Sequence, residues 1–93
     1  MNERLEATIR GRVQMVMFRD FVQRKSSALR LCGKVQNKAD GTVRVVAEGP
    51  REKLELLLAK LHKGPLLARV ESVEPTWLKA TNEFSTFVIS YES

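Results

Sequence analysis

A chain of 93 residues that is 43% hydrophobic has room for one sheet layer and one helix layer around a single core, which excludes a multidomain machine. Sixteen Lys and Arg against 11 Asp and Glu give a net charge of +5, a field that favours anions without choosing among phosphorylated metabolites, nucleic acid and acidic proteins. The single cysteine, Cys32, excludes an internal disulfide and suits a reducing compartment, and no apolar stretch has the length of a secretion signal or a membrane span. The expectation is a cytoplasmic, monomeric protein folded as one domain over residues 1–93, with no membrane contact.

Residues 5–9 alternate apolar Leu5, Ala7 and Ile9 with Glu6 and Thr8, the period of a half-buried strand that ends at Gly11. After a short segment, an amphipathic helix is predicted over residues 20–31. Phe21, Val22, Ala28 and Leu29 form its apolar stripe, and Asp20 complements the positive end of its dipole. Residues 34–37 and 42–48 read as two strands joined through Lys38-Ala39-Asp40-Gly41, whose Asp-Gly pair signals an antiparallel hairpin. Gly49-Pro50 opens a second helix with proline as its first helical residue. Leu54, Leu57, Leu58 and Leu61 recur at helical spacing, and Gly64-Pro65 stops it. A strand over residues 68–74, an irregular stretch beyond Pro75 and a closing strand over residues 85–91, with Phe87, Ile89 and Tyr91 alternating, complete the chain. The order is α+β: the split βαβ, ferredoxin-like sandwich, an antiparallel sheet covered on one face by two helices. That fold hosts many functions, so function has to be argued from a site.

One histidine, one cysteine and scattered carboxylates supply no catalytic triad, metal cluster or P-loop. His62 reads as a surface residue near a helix end, and Cys32 as a small buried apolar residue at the end of the first helix. The distinctive stretch is Gly11-Arg12-Val13-Gln14-Met15-Val16-Met17-Phe18-Arg19, where a strand end runs through a compact segment to an arginine at a helix start. Unpaired amides of a first helical turn and of a tight loop can converge on an anion, and the guanidinium fork of Arg19 matches phosphate oxygens. Read as ordinary surface chemistry, Arg12 and Arg19 would be solvated charges flanking an apolar plug. Asn37, on the parity of Val35 at the end of a strand, either bonds its own turn backbone or binds and orients a water.

These residues resemble a known family. The stretch from Gly11 to Arg19 is similar to the acylphosphatase signature G-x-V-Q-G-V-x-F-R, and Gly33-Lys34-Val35-Gln36-Asn37-Lys38-Ala39-Asp40-Gly41-Thr42-Val43 is similar to its second block, G-x-V-x-N-x-x-D-G-x-V. Glu48-Gly49, the stretch from Gly64-Pro65 to Val73, and Phe87-x-Ile89-x-Tyr91 extend the likeness over nearly the whole chain. The resemblance implies an acylphosphatase-like fold and hydrolysis of the carboxyl-phosphate bond of small acyl phosphates to a carboxylate and inorganic phosphate. It implies that the phosphoryl group is held by Arg19 and the amides of Val13, Gln14, Met15, Val16, Met17 and Phe18, that Asn37 orients the attacking water, and that no cofactor takes part. Gln14 and Phe18 are assigned to loop shape and packing.

Two positions depart from the pattern. Met15 stands where the family has glycine; if that position requires φ > 0, a side chain there costs about 1–2 kcal/mol, and with Met17 it forms an apolar lip around the site. Arg30 stands where the family commonly has glycine, and concerns the helix end. Two other readings compete. One is a non-catalytic ferredoxin-like module binding phosphate or an acidic partner. The other is an RNA-recognition module, which needs stacking aromatics on its central strands; residues 5–10 and 42–47 contain none, so no nucleic-acid partner is expected.

Overall fold

The computed structural model describes residues 1–91; the last two residues of the predicted single domain lie outside them. The elements are β1 (Asn2–Arg12), α1 (Phe18–Ala28), β2 (Cys32–Asn37), β3 (Val43–Pro50), α2 (Arg51–Lys63), β4 (Arg69–Lys79) and β5 (Phe87–Ile89). The strands form one sheet in the order β4-β1-β3-β2-β5. Leu5, Ala7 and Ile9 pair in register with Ala47, Val45 and Val43, and all six are buried on the face that the helices cover. The helices meet this face with Phe18 and Val22 from α1 and with Leu54, Leu57 and Leu61 from α2, the three leucines fully buried. Each such leucine contributes about 1.5–3 kcal/mol, so the spacing along residues 54–61 carries much of the sandwich. The predicted hairpin is present: Val35 lies opposite Val45, and Lys38 N–H donates to the Thr42 carbonyl at 2.9 Å. Asp40 Oδ1 accepts from both the amide and the hydroxyl of Thr42.

Several boundaries differ from the sequence expectation, each for a physical reason. Helix α1 starts at Phe18 rather than at residue 20 and ends at Ala28 rather than at residue 31. Its buried face is Phe18, Val22 and Ser26, while Ala28, placed on the apolar stripe by spacing, is exposed. The early stop comes from Arg30, which takes a left-handed φ of 59°. Leu31 N–H then donates to the Ser26 carbonyl and Arg30 N–H to the Ser27 carbonyl, both at 2.9 Å, which is the Schellman closure normally built on glycine. Cys32 consequently begins β2, only partly buried, instead of ending a helix. Pro50 sits one place earlier than predicted, as the extended N-cap of α2 with ψ 140°.

Strand β1 runs through Gly11 rather than stopping there. A bulge lies between Arg10 and Gly11, where φ is 128° and a Cβ would meet the Arg69 carbonyl oxygen at 2.1 Å, so only glycine fits. Strand β4 continues past Pro75 to Lys79, in place of the predicted irregular stretch. It is an edge strand paired only with β1, and an edge tolerates a residue with no N–H.

The closing strand is shorter than predicted and runs parallel to β2, with Phe87 opposite Gly33 and Ile89 opposite Val35. The sheet is therefore mixed rather than wholly antiparallel. The cause is topological: β4 and β5 occupy opposite edges, so residues 80–86 must cross the sheet end where β1 and β2 begin and β3 finishes. Glu48, 1% exposed, holds this crossing. Its carboxylate accepts from the amides of Thr81 and Asn82 at 2.9 Å each and from Arg4 at 3.0 Å. Burial pushes the Glu48 carboxyl up, but the Thr81 and Asn82 amides, Arg4 and the Thr81 hydroxyl outweigh it and hold it below the ordinary glutamate value. Gly33 N–H donating to Thr86 and Ser90 N–H donating to Val35 then set the β5 register.

Candidate active site

The end of the sheet opposite Glu48 gathers the carboxyl ends of β1, β2 and β5 with the amino end of α1. The five residues 13–17 between β1 and α1 are anchored in two ways. Val13 and Val16 turn inward and are buried, and Gln14 Nε2 donates to the carbonyls of Lys38 and Thr42, at 2.8 Å each, tying the loop to the β2–β3 hairpin. The intervening residues turn outward with left-handed backbones, Met15 at φ 61° and Met17 at φ 64°. Met17 is the N-cap of α1 and supplies no side-chain cap, and the first helical hydrogen bond runs from Phe21 N–H to its carbonyl. The amides of Phe18, Arg19 and Asp20 thus precede the helical ladder, at the positive end of the helix dipole.

A cavity of about 380 Å³ opens here. Val13, Phe18 and Ile89 form apolar wall, Met15, Met17 and Tyr91 also line it, and its polar groups come from Arg19, Asp20 and Asn37. Arg19 stacks on Tyr91, its guanidinium carbon 5.0 Å from the ring centroid, a contact worth about 0.5–1 kcal/mol at an exposed site. Among the described residues no carboxylate pairs with Arg19. Asp20, the nearest in sequence, is bound instead by Arg24 at 2.8 Å one helical turn on. Asn37 reaches the cavity from the end of β2, on the helix-covered face with Val35, and its buried Oδ1 has no hydrogen-bond partner among the described residues. A buried acceptor of this kind costs about 1–3 kcal/mol until something donates to it. Together the site offers a cation with free donors, a helix N-terminus and an unpaired acceptor: a receptor for an anion and a proton-bearing nucleophile.

The structure brings most of the sequence-predicted residues together. Arg19, Asn37, Val13, Met15, Met17 and Phe18 line one cavity, whereas Gln14 and Val16 hold the loop from behind. Arg12 does not join them; it ends β1, exposed, opposite Arg69. His62 is exposed on α2, away from the cavity. Burial and the nearby Glu48 carboxylate push the Cys32 thiol up, which disfavours a reactive thiolate. Sequence reasoning did not find Ile89 and Tyr91. The alternation of Phe87, Ile89 and Tyr91 put them on one face of a strand, but only the parallel pairing with β2 brings that face beside Asn37. Among the described residues no three His, Cys, Asp or Glu side chains converge as metal ligands.

The chain is similar to known proteins over most of its length. The acylphosphatase family model matches residues 5–89. The chain is 46% identical over 85 residues to an acylphosphatase of Salinibacter ruber, spanning 91% of this chain and 90% of that one. It is 55% identical over 74 residues to an acylphosphatase of Thermus thermophilus, spanning 80% and 84%. Among solved structures, an acylphosphatase from Bacillus subtilis superposes with a TM-score of 0.92 at 31% identity, covering 96% of this chain and 99% of that one.

Proposed function

This chain belongs to the acylphosphatase family and is an enzyme acting on acyl phosphates, and we propose that Arg19, the 13–18 loop amides and Asn37 carry its chemistry. Arg19 and the loop amides hold the oxygens of the phosphoryl group. A water donates one hydrogen bond to Asn37 Oδ1, which aims its lone pair at phosphorus. The new bond joins the water oxygen to phosphorus. The bond that breaks joins phosphorus to the bridging oxygen, and the electron pair leaves with the carboxylate. The extra proton of the water passes to solvent from the phosphate product. Because the leaving carboxylate has a conjugate acid of pKa about 4, it departs without a proton donor, so positioning and charge stabilisation suffice.

The single observation that carries this reading is the unpaired Oδ1 of Asn37 at the cavity of Arg19. Its place in the lining of the Arg19 cavity is what supports a water-orienting role, since the Ser26 hydroxyl is also buried without a partner and does not line that cavity. The free donors of Arg19 support the cradle, and an oxyanion forming there gains from amides fixed in advance. The same observation disfavours a non-catalytic phosphate module, which has no use for the acceptor.

The reading extends to the rest of the protein. We take residues 1–93 as a single domain acting as a monomer, with an acyl phosphate as substrate, phosphate as product and no cofactor. The lone cysteine supports a cytoplasmic setting, and among the described residues no helix is long and apolar enough to cross a membrane. The absence of aromatics from β1 and β3 supports the expectation of no nucleic-acid partner. The test is hydrolysis of acetyl phosphate by purified protein in a chelator, beside Asn37→Ala. Metal-free turnover that the variant loses is expected. Turnover retained by Asn37→Ala would refute the water-orienting role, and dependence on added metal would refute the cofactor-free mechanism.

A further inference from the structure

The turn between α2 and β4 puts leucines where packing gives them nothing to do. Ala68 N–H donates to the Pro65 carbonyl at 3.0 Å, so Leu66 and Leu67 are the two corner residues of a tight turn, positions that favour glycine and polar side chains. Leu66 is 97% and Leu67 71% exposed, and neither packs against the core. One exposed leucine is ordinary; an adjacent pair at a turn corner is an apolar tip held out to the surroundings.

Leu66 also lines a cavity of about 400 Å³ between the helices, with Phe21, Arg24 and Lys25 from α1 and Lys60 and Lys63 from α2. Four of the lining side chains are cations and none is a carboxylate. Lys60 and Lys63 complement the α2 dipole from its last turn, but that role asks nothing of Arg24 and Lys25, which come from the other helix. Arg24 holds Asp20, and Lys25 lies over the Phe21 ring at 5.6 Å, whereas Lys60 and Lys63 have no carboxylate partner among the described residues. Like charges around one hollow repel one another, and an anionic occupant relieves the repulsion.

The tip and the hollow together select a partner that is apolar and anionic side by side. A soluble acidic ligand would satisfy the cations and leave the leucines in water. An anionic bilayer satisfies both, with headgroup phosphates at the cations and the acyl boundary at the leucines. We propose that the α2–β4 turn is a membrane-docking tip, in which Leu66 and Leu67 enter the interface of an anionic lipid surface while Arg24, Lys25, Lys60 and Lys63 hold its headgroups. The expectation of no membrane contact rests on the absence of a long apolar stretch, which peripheral docking does not need. Phe21 stands beside Phe18, ring centroids 6.0 Å apart, and Phe18 lines the Arg19 cavity, so docking brings that cavity alongside the bilayer.

The experiment is co-sedimentation of the full chain with vesicles of phosphatidylglycerol and phosphatidylcholine in equal parts, and with phosphatidylcholine alone. Binding to the mixed vesicles and little to the neutral ones is expected. Lys60→Gln/Lys63→Gln should weaken binding about 25-fold, from about fivefold for each lysine near an anionic surface. Leu66→Ser/Leu67→Ser keeps the backbone turn and should weaken it about tenfold. Arg30→Gln/Lys79→Gln removes the same charge from exposed positions outside the cavity and should change binding by no more than about twofold. Unchanged thermal unfolding shows that each variant is folded. A wild type that ignores the mixed vesicles overturns the proposal and leaves the patch to a soluble acidic partner. Equal losses in the two charge variants reduce the binding to net charge and overturn the site, and full binding by the serine variant overturns the insertion of the leucines.

Discussion

Replacing Asn37 by alanine is expected to move stability and activity in opposite directions. In the folded protein Oδ1 of Asn37 is buried without a protein donor. Such a group carries a desolvation cost of about 1–3 kcal/mol, which the substitution removes. The backbone of residue 37 stays paired opposite Val43, so the strand loses no ladder bond. What is lost is the packing of a partly buried side chain at a cavity edge, a smaller quantity than a core truncation. The balance is a gain of about 1 kcal/mol, or roughly 4–8 °C in Tm for a domain of this size. Catalysis goes the other way. Without the acceptor the water is no longer aimed, and kcat falls by about 10²–10³-fold, equivalent to about 2.7–4 kcal/mol. Inhibition by inorganic phosphate, which reports the cradle rather than the water, changes little. Thermal unfolding followed by circular dichroism, with kcat on acetyl phosphate and the inhibition constant of phosphate, measures all three. A variant that is less stable and still turns over near the wild-type rate would refute the reasoning, since Asn37 would then serve the fold and take no part in the reaction.

Arg19→Lys keeps the charge but loses both the fork and the stack on Tyr91; kcat/KM should fall by about 10²-fold or more, with phosphate inhibition weakened in parallel, and unchanged phosphate inhibition would remove Arg19 from the cradle. Arg30→Gly relieves a left-handed backbone at the end of α1 and should raise stability by about 0.5–1 kcal/mol in urea titrations while leaving kcat unaltered. Met15→Gly should give a gain of similar size from the same cause in the same titrations. The carboxyl of Glu48 is held below its ordinary value, so its contribution is complete above the unfolded glutamate pKa of about 4.3 and is lost as the pH falls through the lower folded value. Glu48→Ala should therefore flatten the acid side of the Tm–pH curve and cost about 3 kcal/mol at pH 7, because Arg4 and two amides lose their buried acceptor.

Much of this protein is legible from local pattern. Period-2 alternation marks β1 and period-3.6 leucines mark α2, because each element buries one face against the other. The Asp40-Gly41 pair marks the hairpin, because its turn chemistry is local. The illegible parts have a common origin in backbone that breaks a residue preference. Glycine at a helix end is a stop signal; Arg30 takes the same conformation, so α1 reads three residues too long. Met17 begins that helix from a left-handed N-cap that no side chain announces, and α1 reads two residues too short at its start. The parallel seat of β5 depends on the crossing held by Glu48, a carboxylate that by alternation alone belongs on the solvated face of β3. Met15 and Arg30 were visible as departures, and only because the family pattern supplied a glycine to compare each with.

Of the four non-glycine residues with a left-handed backbone, Met15, Met17 and Arg30 therefore have to be sorted by what they touch. Arg30 closes a helix in solvent, where its side chain has no bonded partner among the described residues, so glycine should improve the protein without loss. Met15 and Met17 carry the same strain in the loop at the Arg19 cavity, so relieving it at 15 should raise kcat/KM on acetyl phosphate by re-aiming the loop amides. If glycine at 15 and at 30 gave equal stability gains and neither altered kcat/KM on acetyl phosphate, left-handed methionine at the cavity would be mere tolerance of a poor residue. A change in rate at 15 alone would tie that strain to the reaction.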